Sequence, residues 1–189
     1  MRTRPLLAAL LLASTLNGCA VLVAGAAAGA LVATDRRSSA VQLDDQSIEM
    51  KGDARLREQL PVEARIYLTS DNHKVLITGH VSNDSAKAEA ERVVRAIPHV
   101  GQIYNELIVG SRAGNAPYLN DTLLTSRVKT RLLEKSQQLY LNHVKVTSEA
   151  GIVYLMGQLT PAEAEAAVEI AATTSGVERV VKLFEYRAQ

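Results

Sequence analysis

The sequence predicts an α+β protein made of two tandem α-β-β-α-β units behind an N-terminal export signal and an Ala/Gly-rich tether. Two observations predict it. The segment Lys74-Val75-Leu76-Ile77-Thr78-Gly79-His80-Val81 matches Ile152-Val153-Tyr154-Leu155-Met156-Gly157-Gln158-Leu159 at an offset of 78. Recurrence at a fixed spacing marks a duplicated unit. The flanks of the two matches also agree, each with a strand before it and a capped helix with an apolar stripe after it.

The N-terminus comes first. Arg2 and Arg4 precede an apolar run over residues 6–16, and small residues follow, as in an export signal over 1–18. The run is shorter than the roughly 20 apolar residues that a bilayer span needs. Leu16-Asn17-Gly18-Cys19 resembles the bacterial lipobox, which implies cleavage before Cys19 and acylation (palmitate and other fatty chains) of its sulfur. Asn17 is a less usual second residue there than Ala or Ser. Cys19 is the one cysteine, so a disulfide framework is excluded. Residues 20–33 are apolar but rich in Ala and Gly, and 19–42 read as a lipidated tether; joined to the signal, they would instead make one long anchor broken by Ser14, Thr15 and Asn17. Ala20 is not the Asp that resembles an inner-membrane retention signal, so outer-membrane sorting is expected. Removing 1–18 leaves 19 basic and 20 acidic residues. That balance lacks the basic field of a nucleic-acid binder.

The first unit is expected over 43–110, with an opening helix from near Asp45. Residues 64–70 read as a strand, Asp71-Asn72 as a hairpin connection and 74–81 as the return strand. Gly79 and Gly157 hold one inward-type position in the strand pattern. A glycine there marks a bulge or a close backbone approach. Asn83 or Asp84 caps the next helix, where Ala86, Ala90, Val93, Val94 and Ile97 form a stripe. Val100 and Ile103, leading to Leu107, close the unit. Residues 111–119 have the composition of a linker.

The second unit, over 120–188, repeats the order from a helix near Asp121. A strand is expected over 143–148 and a turn at Glu149-Ala150-Gly151. Thr160 is the N-cap, Pro161 the first helical residue and Glu163 the partner in a capping box. Ala164, Ala167, Val168 and Ala171 share one face, and Val177 and Val180 lead to Phe184. Units of about 65–70 residues are marginally stable alone.

This tandem pattern, with Asn120-Asp121-Thr122 and Val144-Lys145-Val146-Thr147 behind a lipobox, resembles the BON-domain family over roughly 43–188. The resemblance implies two BON-type domains in an outer-membrane lipoprotein facing the periplasm. It further implies a non-enzymatic role in the cell envelope, with anionic phospholipids (phosphatidylglycerol, cardiolipin) bound through the second domain and enrichment at the site of cell division.

The residues themselves offer little catalysis. His73, His80, His99 and His143 fall in or beside different strands and turns with no close ligand pair, so neither metal nor cofactor is expected. Asp44-Asp45 reads as helix capping. No nucleophile elbow or phosphate loop is present.

Comparing the copies at an offset of 76 isolates a candidate site. Ile48/Leu124 and Leu56/Leu132 are apolar in both, whereas Ser47 and Arg57 become Leu123 and Leu133. Leu123, Ser126, Thr130 and Leu133 lie along one helical stripe, about 100° from Leu124 and Val128. Arg127, Lys129, Arg131 and Lys135 surround it. Leucines among cations suit a membrane interface with anionic headgroups. Two alternatives stay open: burial of these leucines between the domains, and a protein-interaction adaptor for envelope partners. Members of the resembling kind carry Trp where this chain has Leu123.

Overall fold

The computed structural model describes residues 36–61, 64–110, 116–139 and 141–188. The export signal, Cys19 and the tether up to residue 35 lie outside the described residues, as does the linker over 111–115.

Helix α1 (Ser39–Gln59) starts before the expected Asp45, because the Ser38 hydroxyl accepts the Val41 N–H and caps it there. The end of the expected tether is therefore helical. Strands β1 (Arg65–Asp71) and β2 (Lys74–Val81) pair antiparallel, with Asp71 opposite Lys74. The connection is a two-residue turn, Asn72-His73, at φ 51° and 64°. Positive φ at both positions is what a type I′ hairpin requires. Helix α2 (Asp84–Arg95) is capped by Asn83, whose side chain accepts from Ala86 N–H at 2.9 Å.

The closing strand is not continuous. It splits into β3 (Ile103–Asn105) and β4 (Ile108–Val109), both parallel to β2. Between them the Leu107 carbonyl accepts from Lys87 Nζ at 2.7 Å, and its N–H reaches Asn105 Oδ1 at 3.4 Å. Those side chains take the place of ladder partners.

The second copy runs α3 (Ala116–Leu139), a 3-10 turn (Leu141–His143), β5 (Lys145–Glu149), β6 (Ile152–Leu159), α4 (Pro161–Ala172) and β7 (Arg179–Tyr186). His143 thus belongs to the turn and not to the strand. Helix α3 takes in the last residues of the expected linker. Pro117 falls in its first turn, where a missing N–H is tolerated. Thr160 and Glu163 close their capping box, with Thr160 N–H donating to Glu163 Oε2 at 2.8 Å.

Each sheet (β1-β2-β3/β4 and β5-β6-β7) lays its two helices on one face. Val75, Ile77, Ala90 and Val94 fill the first core with Ile48 and Leu56. Val153, Leu155, Ala167 and Leu159 fill the second with Leu124, Val128 and Leu132. The opposite faces meet each other. Leu76, Tyr154, Met156 and Leu183 make a third core between the sheets, flanked by Tyr104, Ile152 and Val181.

Leu76 and Tyr154 are repeat counterparts. So are Thr69 and Thr147, whose hydroxyls lie 3.1 Å apart. Counterparts that touch each other indicate a two-fold relation between the copies. Polar contacts fringe this interface: Asn72 Nδ2 to Glu185 at 2.9 Å, Lys145 to Glu49 at 3.4 Å and to the Ser70 carbonyl, and His80 Nδ1 to Glu149 at 3.2 Å. Two marginal units share stability through it.

Candidate functional site

Helix α3 separates its two stripes by burial. Leu124, Val128 and Leu132 are sealed in the core, whereas Leu123 is 54% exposed and Leu133 53%. Ser126 and Thr130 between them are exposed, with Ser126 Oγ donating to the Thr122 carbonyl at 3.0 Å. Burial of these leucines between the domains is overturned, because the domains meet through their sheets and leave this side of α3 open.

Arg127, Lys129 and Lys135 are exposed around the stripe. Arg131 is not part of that set. Its guanidinium donates to the Ile170 carbonyl at 2.8 Å, Thr174 Oγ1 at 2.7 Å and Thr173 Oγ1 at 3.1 Å. Arg55 makes the same kind of bond to the Ala96 carbonyl in the first copy, at 3.1 Å. Both arginines serve the carbonyl end of a neighbouring helix, where the helix dipole favours a cation.

A cavity of about 320 Å³ opens beside the stripe, lined by Asn120, Leu123, Arg127, Gly151, Gly176 and Glu178 among others. Its floor is fixed by Asp121, which accepts Ala150 N–H at 3.0 Å and Gly151 N–H at 3.1 Å.

Helix α1 shows a feature that the comparison of copies missed. Leu43 and Met50, seven residues apart, are 66% and 70% exposed. Both belong to the first copy, whereas the contrast between the copies picks out apolar residues gained by the second. The charges nonetheless differ: α1 carries five acids against three bases, and α3 four bases against two acids.

Two sequence readings are corrected at the start of α1. Asp45 lies inside the helix and caps the hairpin turn instead. Its buried carboxylate accepts from Ser70 Oγ at 2.6 Å, Asn72 N–H at 2.9 Å, His73 N–H at 2.9 Å and Arg37 at 2.7 Å. The histidines are not all scattered either. His99 Nδ1 lies 2.7 Å from Asp44 Oδ1, and His73 Nε2 lies 3.1 Å from Asp44 Oδ2. The hydrogen bond from His99, helped by that from His73, holds the Asp44 carboxyl below its usual range.

The family model described as BON domain matches residues 44–111 and 120–188. The chain is 37% identical over 183 residues to the outer membrane lipoprotein DolP of Haemophilus influenzae, covering 94% of each protein. It is 36% identical to a 21 kDa hemolysin of Actinobacillus pleuropneumoniae, over 80% of this chain and 79% of that one. It is 29% identical to the osmotically-inducible protein Y of Escherichia coli, over 73% of this chain and 70% of the other. None of these names is that of an enzyme. Among the described residues, no helix is long and apolar enough to cross a membrane.

Proposed function

Because the chain belongs to the BON-domain family, with both of its copies matched, and is an outer-membrane lipoprotein, we propose that it is a non-enzymatic protein that binds anionic phospholipids through the outer face of α3. Cys19 is the acylated residue, the two domains face the periplasm, and the contact supports envelope integrity and enrichment at the division site. The observation that carries the reading is the pair of half-exposed leucines, Leu123 and Leu133, set among Arg127, Lys129 and Lys135. Helix α1 also exposes apolar residues, but its acidic excess opposes an anionic surface.

The magnitudes describe a weak contact. Covering the exposed halves of two leucines contributes roughly 1 kcal/mol each. Three cations at an anionic surface contribute about 1 kcal/mol each. The sum, roughly 5 kcal/mol, corresponds to a Kd near 0.2 mM. Anchoring through a short linker supplies an effective concentration on the order of millimolar, enough to keep such a contact mostly occupied. Attachment then belongs to the lipid at Cys19, and the choice of lipid patch belongs to α3.

All three apolar cores lie within Arg37–Gln189, so this piece serves for the test. It is expected to partition onto phosphatidylglycerol vesicles but not phosphatidylcholine ones, less at high salt. The double substitution Leu123→Glu and Leu133→Glu should abolish partition and leave the circular dichroism unchanged. Binding that survives it overturns the site. Absence of any lipid binding, with a protein adduct crosslinked from position 123 in cells, would replace the reading with an envelope adaptor.

A further inference from the structure

The two copies differ at the hairpin end of each domain, and the difference concerns three side chains from three elements. In the second copy the cavity there is bordered by Asn120, Gly151 and Gly176. The two glycines sit at φ +75° and +95°. Their counterparts in the first copy are His73 and His99, also at positive φ, +64° and +69°. The counterpart of Asn120 is Asp44. A left-handed backbone costs a residue with a Cβ energy that glycine avoids, so the backbone itself favours glycine at both places. The first copy has a histidine at each, and both converge on one carboxylate.

The convergence is held by the fold. His73 N–H donates to Asp45 Oδ1 at 2.9 Å, and the His73 carbonyl accepts from Gly101 N–H at 2.9 Å. That second bond stitches the hairpin turn to the loop that carries His99. Asp44 arrives from α1 beside Asp45, whose own charge is met by Arg37. One ligand atom from each of Asp44, His73 and His99 lies within 4.8 Å of the others. All three side chains remain accessible, at 32%, 35% and 59% exposure.

We propose that Asp44, His73 and His99 bind a divalent transition-metal ion of the zinc class. Two imidazole nitrogens and one carboxylate oxygen are a donor set for zinc, copper or nickel, not for magnesium or calcium. Around a tetrahedral zinc the ligand atoms stand roughly 3.4 Å apart, given zinc–ligand bonds of about 2.0–2.2 Å. The separations to the Asp44 carboxylate, 2.7 Å from His99 to Oδ1 and 3.1 Å from His73 to Oδ2, are slightly shorter than that, and with one ligand atom from each residue no pair is more than 4.8 Å apart. Closing round an ion involves rotation of one exposed and two half-buried side chains. With three protein ligands, the remaining coordination position would be filled by water. Among the described residues this is the one such set, the second copy having Asn, Gly and Gly there, so one ion per chain is expected.

The test uses the lipidated full-length protein in detergent, purified without a histidine tag and treated with chelator. Zinc titrated against a chromophoric competitor should bind at one equivalent and raise the thermal midpoint. His73→Gly and His99→Gly should each weaken that binding by about 100-fold or more, comparable to or beyond a second-shell loss. Both variants should fold, since each installs the residue type that the second copy uses at the same backbone conformation. At the hairpin, H73G leaves Asn72 followed by glycine, a favoured type I′ pair. Failure of the wild type to take up one equivalent of zinc, copper or nickel overturns the proposal. So does binding that persists in the double variant.

Discussion

Replacing Gly79 by Ala should cost far more than replacing its repeat counterpart Gly157. Both glycines hold positive φ, +117° and +150°, which Ala adopts at a cost of about 1–3 kcal/mol, offset by about 0.4–1 kcal/mol from a stiffer unfolded chain. The surroundings differ. A Cβ on Gly79 would stand 1.8 Å from the Arg65 carbonyl oxygen and 2.9 Å from its carbon. A Cβ on Gly157 would meet nothing nearer than the His143 carbonyl at 3.6 Å, an ordinary contact.

Relief at Gly79 requires β1 to move off β2 where Arg65 faces His80 and Ile66 faces Gly79. Losing about two ladder bonds there adds about 2 kcal/mol. Gly79→Ala should therefore cost about 2–5 kcal/mol, and Gly157→Ala about 2 kcal/mol less. For a chain of this size the first lowers the thermal midpoint by about 4–20 °C, and the two variants differ by about 4–8 °C. Urea denaturation followed by circular dichroism separates the two. Equal destabilisation, or a larger loss at Gly157, would refute the argument that close approach of β1 is what Gly79 serves.

Two further outcomes follow from buried polar groups. Asp45→Ala removes the acceptor shared by Ser70, Asn72, His73 and Arg37, leaving two turn N–H groups unsatisfied. A loss of about 3–5 kcal/mol is expected, with faster amide exchange at Asn72 and His73; unaltered exchange would contradict it. Tyr154, 1% exposed between the sheets, has its phenol pushed up to about 12, first by loss of solvation and then by Glu106. The folded state holds the proton more tightly than the unfolded one, whose phenol titrates near 10. The associated stability is whole below pH 10 and is lost as pH rises to about 12, by roughly 3 kcal/mol. Tyr154→Phe should remove that part of the alkaline slope; an identical slope in the variant would reject the assignment.

Periodicity and capping are local properties, so they were legible in the residues. The bounds of β2 and β6, the Thr160–Glu163 box, a cap at Asn83 or Asp84 (the structure takes Asn83) and the two stripes of α3 all depend on neighbours within about four positions. The identity of the partner on a second face is not local. The run Val75-Leu76-Ile77 is apolar on both sides, a sign that both faces of the sheet are covered. Only packing decided that the other sheet covers it, and this left Leu123 and Leu133 outward. The same holds for His73 and His99. Their glycine counterparts were visible in the repeat, but 26 positions separate them in the chain. A turn and a loop had to close on Asp44 of the first helix before the three could meet. Sequence determined which elements form and which side of each is apolar. Tertiary structure decided which of those sides remained open and which distant side chains met, because both depend on contacts between segments far apart in the chain.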